Sequence, residues 1–176
     1  MKAVLLAIIH KIMNEGDNSP PGKKQLHKLV YLIQAKGLDL GYEYGIHFYG
    51  PYSDDLSRDL LSLCVNGDIA FRIEGQTHKI VPIRKPDDAE VNYNWDDVLV
   101  DRIINTYKGY NASCLELLTT THFVAVNLGN SDKEILDGVK RIKGNKYPIS
   151  DIMDAISHIR AEYSASVLND SFQTIA

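Results

Sequence analysis

Along most of this chain apolar residues recur at the three- and four-residue spacing of helices, and in one stretch they alternate. Val4, Leu5, Ile8, Ile9 and Ile12 mark one face of a helix from Lys2 to Glu15. The stretch GDNSPPG then breaks the pattern and predicts a stiff loop. A second helix starts near Lys23, with Leu26, Leu29, Val30 and Ile33 as its stripe and Gly37 as its stop. The aromatic run YEYGIHFY reads as a strand, after which Gly50 and Pro51 turn the chain. Ser53 is placed to cap a third helix. Asp54 and Asp55 fall in its first turn, where the helix dipole favours negative charge. Leu56, Leu60, Leu63 and Cys64 form its buried stripe, and Asn66-Gly67 ends it.

IAFRI and HKIVPI follow, joined by a short polar turn. Ile69, Phe71 and Ile73 alternate, which predicts a β-hairpin. RKPDDAEVNY is a charged loop whose acids Asp87, Asp88 and Glu90 read as solvated charge. Beyond it the periodicity is helical. Asn94 is placed to cap a helix through Tyr107, with Leu99 and Ile103 inward. Ser113 with Glu116, and Ser131 with Glu134, both match the capping-box spacing. A last strong helix begins at Ser150 and carries Ile152, Met153, Ile156 and Ile159, and the tail from about Ser164 is weaker and frays.

The expected fold class is therefore α+β, mainly α. The order helix, helix, strand, helix, hairpin is winged-helix-like over 1–84, a helical bundle follows over 92–163, and 164–176 is the tail. No flexible linker separates these parts, so the expectation is a single domain over 1–176.

Composition sharpens this picture. The 176 residues are 44% hydrophobic and 24% charged, an ordinary globular balance. The net charge of −4 argues against a dedicated nucleic-acid binder. No apolar run approaches the roughly 20 residues of a membrane span. The first apolar run is interrupted by His10 and Lys11, which favours an amphipathic helix over a signal peptide. Cys64 and Cys114 fit no metal or redox spacing and read as buried free thiols in a reducing cytoplasm.

Catalytic motifs are missing. There is no P-loop, dinucleotide fingerprint, nucleophile elbow or zinc-protease motif. The six histidines sit on different predicted elements, so no metal site is expected, and no cofactor either. Cys114 and His122 lie about 12 Å apart along one helix, too far for direct activation, and read as a core thiol and a helix-surface imidazole. Asp54, Asp55 and Asp59 are explained by capping and dipole effects. They also give the third helix an acidic face, which repels a DNA backbone. Basic residues concentrate elsewhere: Lys140, Arg141, Lys143 and Lys146 in VKRIKGNK, Lys23, Lys24 and Lys28 on the second helix, and Arg72, His78 and Lys79 on the hairpin. A DNA-binding reading would use Lys79, Lys140, Arg141 and Lys143.

The segment Lys23 to Ile69 carries a leucine-rich helix L-x-K-L-V-Y at 26–31, an aromatic stretch entering Y-G-P-Y-S at 49–53, and an acidic start to an amphipathic helix. In these it resembles the YwgA-like proteins of bacteria and, more distantly, the Panacea (SocA-like antitoxin) domain. Weaker likeness continues in LELLTTTHF and KGNKYPISDIMDAI. The Panacea likeness implies an adaptor-like role, binding a protein toxin or handing it to a protease. The expectation is a cytoplasmic, non-enzymatic protein-interaction module, with a winged-helix DNA-binding regulator as the alternative. Tyr42, Tyr44, Tyr49 and Tyr52 read as aromatics suited to an interface, with about half of them expected instead to pack the strand onto the second and third helices. The partner-binding residues expected are Tyr31, Tyr49, Pro51, Tyr52, Asp54 and Asp55. The C-terminal helices offer a surface for a homodimer.

Overall fold

The computed structural model describes residues 2–15, 19–87, 96–129 and 131–173, with side chains as far as Glu162. The described elements run α1 (Lys2–Glu15), α2 (Lys23–Ala35), β1 (Gly45–His47), β2 (Gly50–Tyr52), α3 (Asp54–Val65), β3 (Ile69–Glu74), β4 (Thr77–Pro82), α4 (Asp97–Tyr107), α5 (Ala112–Asn127), α6 (Asp132–Lys143) and α7 (Ile149–Gln173). The fold is mainly α with two antiparallel strand pairs, β1–β2 and β3–β4, as the α+β reading expects. The chain divides into two compact units, Met1–Leu115 and Glu116–Ala176.

In the first unit α2 is central. All eight residues from Leu26 to Ile33 are buried, including His27 and Lys28. Leu5, Leu6, Ile8 and Ile9 of α1, Leu56, Leu60 and Leu63 of α3, and Val100, Ile103 and Ile104 of α4 complete the core. Each fully buried side chain of this kind stabilises the fold by about 1.5–3 kcal/mol. The six-residue strands β3 and β4 pair from Ile69↔Pro82 to Glu74↔Thr77. Ile80 donates its amide to the carbonyl of Pro21 at 2.9 Å, and Gly22 bridges to Lys79. The hairpin is thereby fastened to the start of α2. A Cβ on Gly22 would meet Thr77 Cγ2 at 3.0 Å, so this close approach favours glycine.

The aromatic stretch departs from its reading. Only Gly45–His47 is strand, and it pairs at once with Gly50–Tyr52, so the reversal lies at Phe48-Tyr49 and Pro51 stands inside β2. Gly50, at φ 88°, lets the chain leave the turn. Tyr42 is kept out of the sheet by Gln34, whose side chain accepts from the Tyr42 amide at 3.0 Å and donates to its carbonyl at 2.7 Å. With both backbone groups satisfied locally, no strand partner is needed.

Capping follows expectation at two helices and departs from it at two. Ser53 Oγ accepts from the Leu56 amide, and Ser131 with Glu134 forms a full capping box. Asn94, the expected cap of α4, lies outside the described residues, as do Asp88 and Glu90. Asp96 caps that helix, accepting from the Leu99 amide at 2.9 Å. Its inward face is Val100, Ile103, Ile104 and Tyr107, while Leu99 is half-buried. Ser113 lies inside α5, whose first residue is Ala112, and so does not stand at the cap position. Asn111 Oδ1 takes the Cys114 amide at 2.9 Å, and Glu116 serves elsewhere.

The second unit packs Leu117 and Val124 of α5, Ile135 and Val139 of α6, and Ile152 and Ile156 of α7. A Cβ on Gly138 would stand 2.6 Å from Val124 Cγ1, so glycine sets the spacing of α5 and α6. Met153 of α7 is 37% exposed. Glu116 accepts from Lys143 at 2.9 Å and Lys146 at 2.6 Å. Burial by itself would raise the Glu116 carboxyl, but these two ammonium groups hold it below the usual carboxylate range.

Candidate functional site

A cleft of about 750 Å³ opens in the first unit where four segments meet. The start of α2 contributes Lys23, Lys24, Gln25, His27 and Lys28. The β1–β2 turn contributes His47, Phe48, Tyr49 and Tyr52. The β3–β4 turn contributes Gln76, Thr77, His78 and Lys79, and Tyr110-Asn111-Ala112 closes the remaining side. The two basic groups that the sequence places on separate elements, 23–28 and 78–79, therefore face one space. Among the described residues lining it there is no aspartate or glutamate.

The floor is rigid and buried. The imidazole of His27 stacks on the ring of Tyr52, with centroids 4.5 Å apart and planes 7° from parallel. The Tyr52 hydroxyl lies 2.5 Å from Ser57 Oγ, which in turn lies 3.2 Å from His27 Nε2. His27 Nδ1 is buried and has no partner among the described residues. Burial pushes this imidazole down to about 3, and the charges of Lys28 and Lys23 add to the effect, so His27 is neutral near pH 7. Lys28, also buried, donates to the carbonyl of Pro51 at 2.5 Å and ties β2 to α2.

The rim is open. Phe48 is 79% exposed and Tyr49 45% exposed. Their rings meet edge-on at 5.0 Å, and the Lys24 ammonium sits 3.5 Å from the Tyr49 centroid. Lys79 donates to the Pro20 carbonyl at 3.0 Å. His47 packs at 4.9 Å on the outer side of Tyr52.

Not all residues expected at a partner surface reach one. Tyr31 and Pro51 are buried, and Tyr52 is half-buried in the cleft floor. Asp54 is exposed, and Asp55 is half-buried and paired with Arg58. Of the four tyrosines, about half of which are expected to pack inward, Tyr42 is buried with its hydroxyl donating to Asp59 at 3.0 Å. Tyr44 is half-buried, and its enclosed hydroxyl has no partner among the described residues. Only Tyr49 is well exposed. Burial raises both the Tyr42 and the Tyr44 phenol above the usual range.

The basic candidates also separate. Lys79 lines the cleft, Lys140 and Arg141 are exposed on α6, and Lys143 is buried against Glu116. The cysteine and histidine roles are reversed from expectation: Cys114 is exposed, Cys64 is half-buried, and His122 is buried. Among the described residues no group of three metal-ligating side chains converges, and no helix is long and apolar enough to cross a membrane.

No family model matches the chain. It is 37% identical over 43 residues to a protein of Bacillus subtilis (strain 168) described as the uncharacterized protein YwgA. That match spans 24% of this chain and 26% of the relative. Over this stretch the chain is YwgA-like, and the relative brings no activity with it.

Sequence reasoning missed His27, His47, Tyr110 and Asn111 as neighbours in one cleft. The local signal it did hold was the run Lys23-Lys24 at a helix start, where acids are the favoured choice.

Proposed function

We propose that the chain is a non-enzymatic protein-interaction module of the antitoxin or adaptor kind that the Panacea likeness implies, and that its partner docks on the β1–β2 turn. The observation that carries this reading is the exposure of Phe48 and Tyr49 side by side at a two-residue turn. Large aromatic side chains held outward by a rigid base are typical anchors of protein interfaces. Here the base is rigid because Lys28 holds the Pro51 carbonyl and Tyr52 is stacked on His27. Asp54 and Asp55 stand at the start of α3, close after the turn in sequence, and add acidic contacts at its edge.

The duplex-DNA reading has less support. The polar face of α3 presents Asp54, Asp55 and Asp59, and its Arg58 is paired with Asp55. Lys143, one of four lysine and arginine candidates, is occupied by Glu116.

Affinity capture from the native cell, repeated with Phe48→Ser/Tyr49→Ser, tests the docking reading. A stoichiometric partner lost in the double variant is the expected result. An unchanged partner set, with the variant folded by circular dichroism, contradicts it.

A further inference from the structure

We propose that the cleft is a binding site for a small phosphorylated ligand, seated with its oxyanion at the first turn of α2. The inference does not rest on the docking reading, because it concerns the cleft floor and not the aromatic turn.

Charge points to it first. The chain carries 23 acidic and 19 basic side chains, yet the cleft collects Lys23, Lys24, Lys28, Lys79, His27, His47 and His78 with no described acid beside them. Lys28 holds the Pro51 carbonyl, Lys79 the Pro20 carbonyl and Lys24 the Tyr49 ring, but none of these partners carries a negative charge, so the four like charges still repel one another and an anion among them would offset that repulsion. Lysine, a compact point charge with rotatable donors, suits a phosphate group.

Helix geometry points to the same place. The first turn of α2 holds no acid, and its N-cap is Gly22, which has no side chain to accept from the turn's amides. Lys23 and Lys24 add positive charge to the positive end of the helix dipole, against the usual preference. An oxyanion there would accept from the first-turn amides and neutralise both lysines. Glycine at position 22 also permits the close contact with Thr77 that brings His78 and Lys79 to the same helix end.

The unpartnered His27 nitrogen is the independent sign. His27 is only 2% exposed, lines the cleft, and leaves Nδ1 without a partner. The Tyr52–Ser57 chain occupies Nε2, and an oxyanion at Nδ1 selects the tautomer in which Ser57 accepts from the Tyr52 hydroxyl, donates to Nε2 and leaves the imidazole proton on Nδ1 as a donor. A buried donor without an acceptor is costly in an unliganded protein, and a ligand oxygen would relieve it. The volume, about 750 Å³, exceeds what a bare phosphate fills and falls within the ordinary range of small-molecule sites.

Isothermal titration of the full chain with inorganic pyrophosphate at low salt tests this, with citrate as a non-phosphate polyanion. Expected is one-to-one binding of pyrophosphate, stronger than citrate. It should weaken by about ten-fold or more in Lys23→Ala/Lys24→Ala, as loss of charge-assisted hydrogen bonds requires. The control Lys140→Ala/Arg141→Ala on α6 should leave it unchanged. A second cleft variant, His78→Ala at an exposed position, should also weaken it and guards against misfolding of the first. No pyrophosphate binding, equal binding of citrate, or equal loss in the α6 control would each overturn the proposal.

Discussion

His27 lies flat against Tyr52, 4.5 Å between ring centroids, and the Ser57 hydroxyl joins the two side chains from the edge. This pair links α2 to the β1–β2 turn and forms the floor of the cleft. It also makes the floor sensitive to protonation, since the imidazole is buried beside Lys28.

The first prediction follows from that burial. In the folded state His27 titrates near 3, well below the ordinary histidine value of about 6.5. The unfolded chain therefore binds a proton at His27 in the window between these values, and the folded chain does not. Stability contributed by neutral His27 is complete above pH 6.5 and falls as pH drops toward 3. Between pH 7 and pH 5 the wild type should lose about 2 kcal/mol more than His27→Gln, at about 1.4 kcal/mol per pH unit below 6.5. Urea unfolding at the two pH values measures the difference. Equal losses in both proteins would show that His27 is not held neutral.

A second prediction concerns Glu116, whose carboxylate takes Lys143 and Lys146 together. Lys143 is 2% exposed at its side chain and Lys146 39%. Replacing Glu116 by Gln strands the buried Lys143 charge and should cost about 3–5 kcal/mol. Lys146→Ala removes a more exposed partner and should cost about 1 kcal/mol or less. Thermal melts of the two variants give the order. A Lys146→Ala variant as damaged as Glu116→Gln would mean that the outer contact, from α5 to the segment after α6, carries the stability instead.

What the sequence made legible was local. The α2 stripe, the Ser53 cap, the Ser131–Glu134 box and the β3–β4 hairpin all follow from residues within a few positions of one another. The strand expected over 42–49 failed because Tyr42 and Tyr44 supply β-propensity while Gln34, eight residues upstream of Tyr42, takes the Tyr42 backbone groups. Propensity reads side chains and does not see a distant amide satisfying the backbone. Glu116 was misread for a similar reason. Its spacing from Ser113 suits a capping box, yet two lysines 27 and 30 residues later hold its carboxylate.

The cleft shows the same limit more sharply. His27, His47 and His78 are spread over three elements, and no spacing rule joins them. Lys23 and Lys24 are visible in the sequence only as part of a basic run on the second helix. Their meaning changes only when the Gly22–Lys79 bridge brings the hairpin to that helix end. The stretch from His47 to Tyr52 is likewise more than a turn of the chain: its tip forms the rim and Tyr52 forms part of the floor.

The claim most directly open to measurement is that this cleft binds a phosphorylated ligand. Amide NMR of the full chain, titrated with pyrophosphate, tests it most directly. The account predicts saturable shifts concentrated at residues 22–28, 47–52, 76–79 and 110–112, with the basic turn at 140–146 unmoved. Shifts confined to 140–146, or none at all, would contradict it.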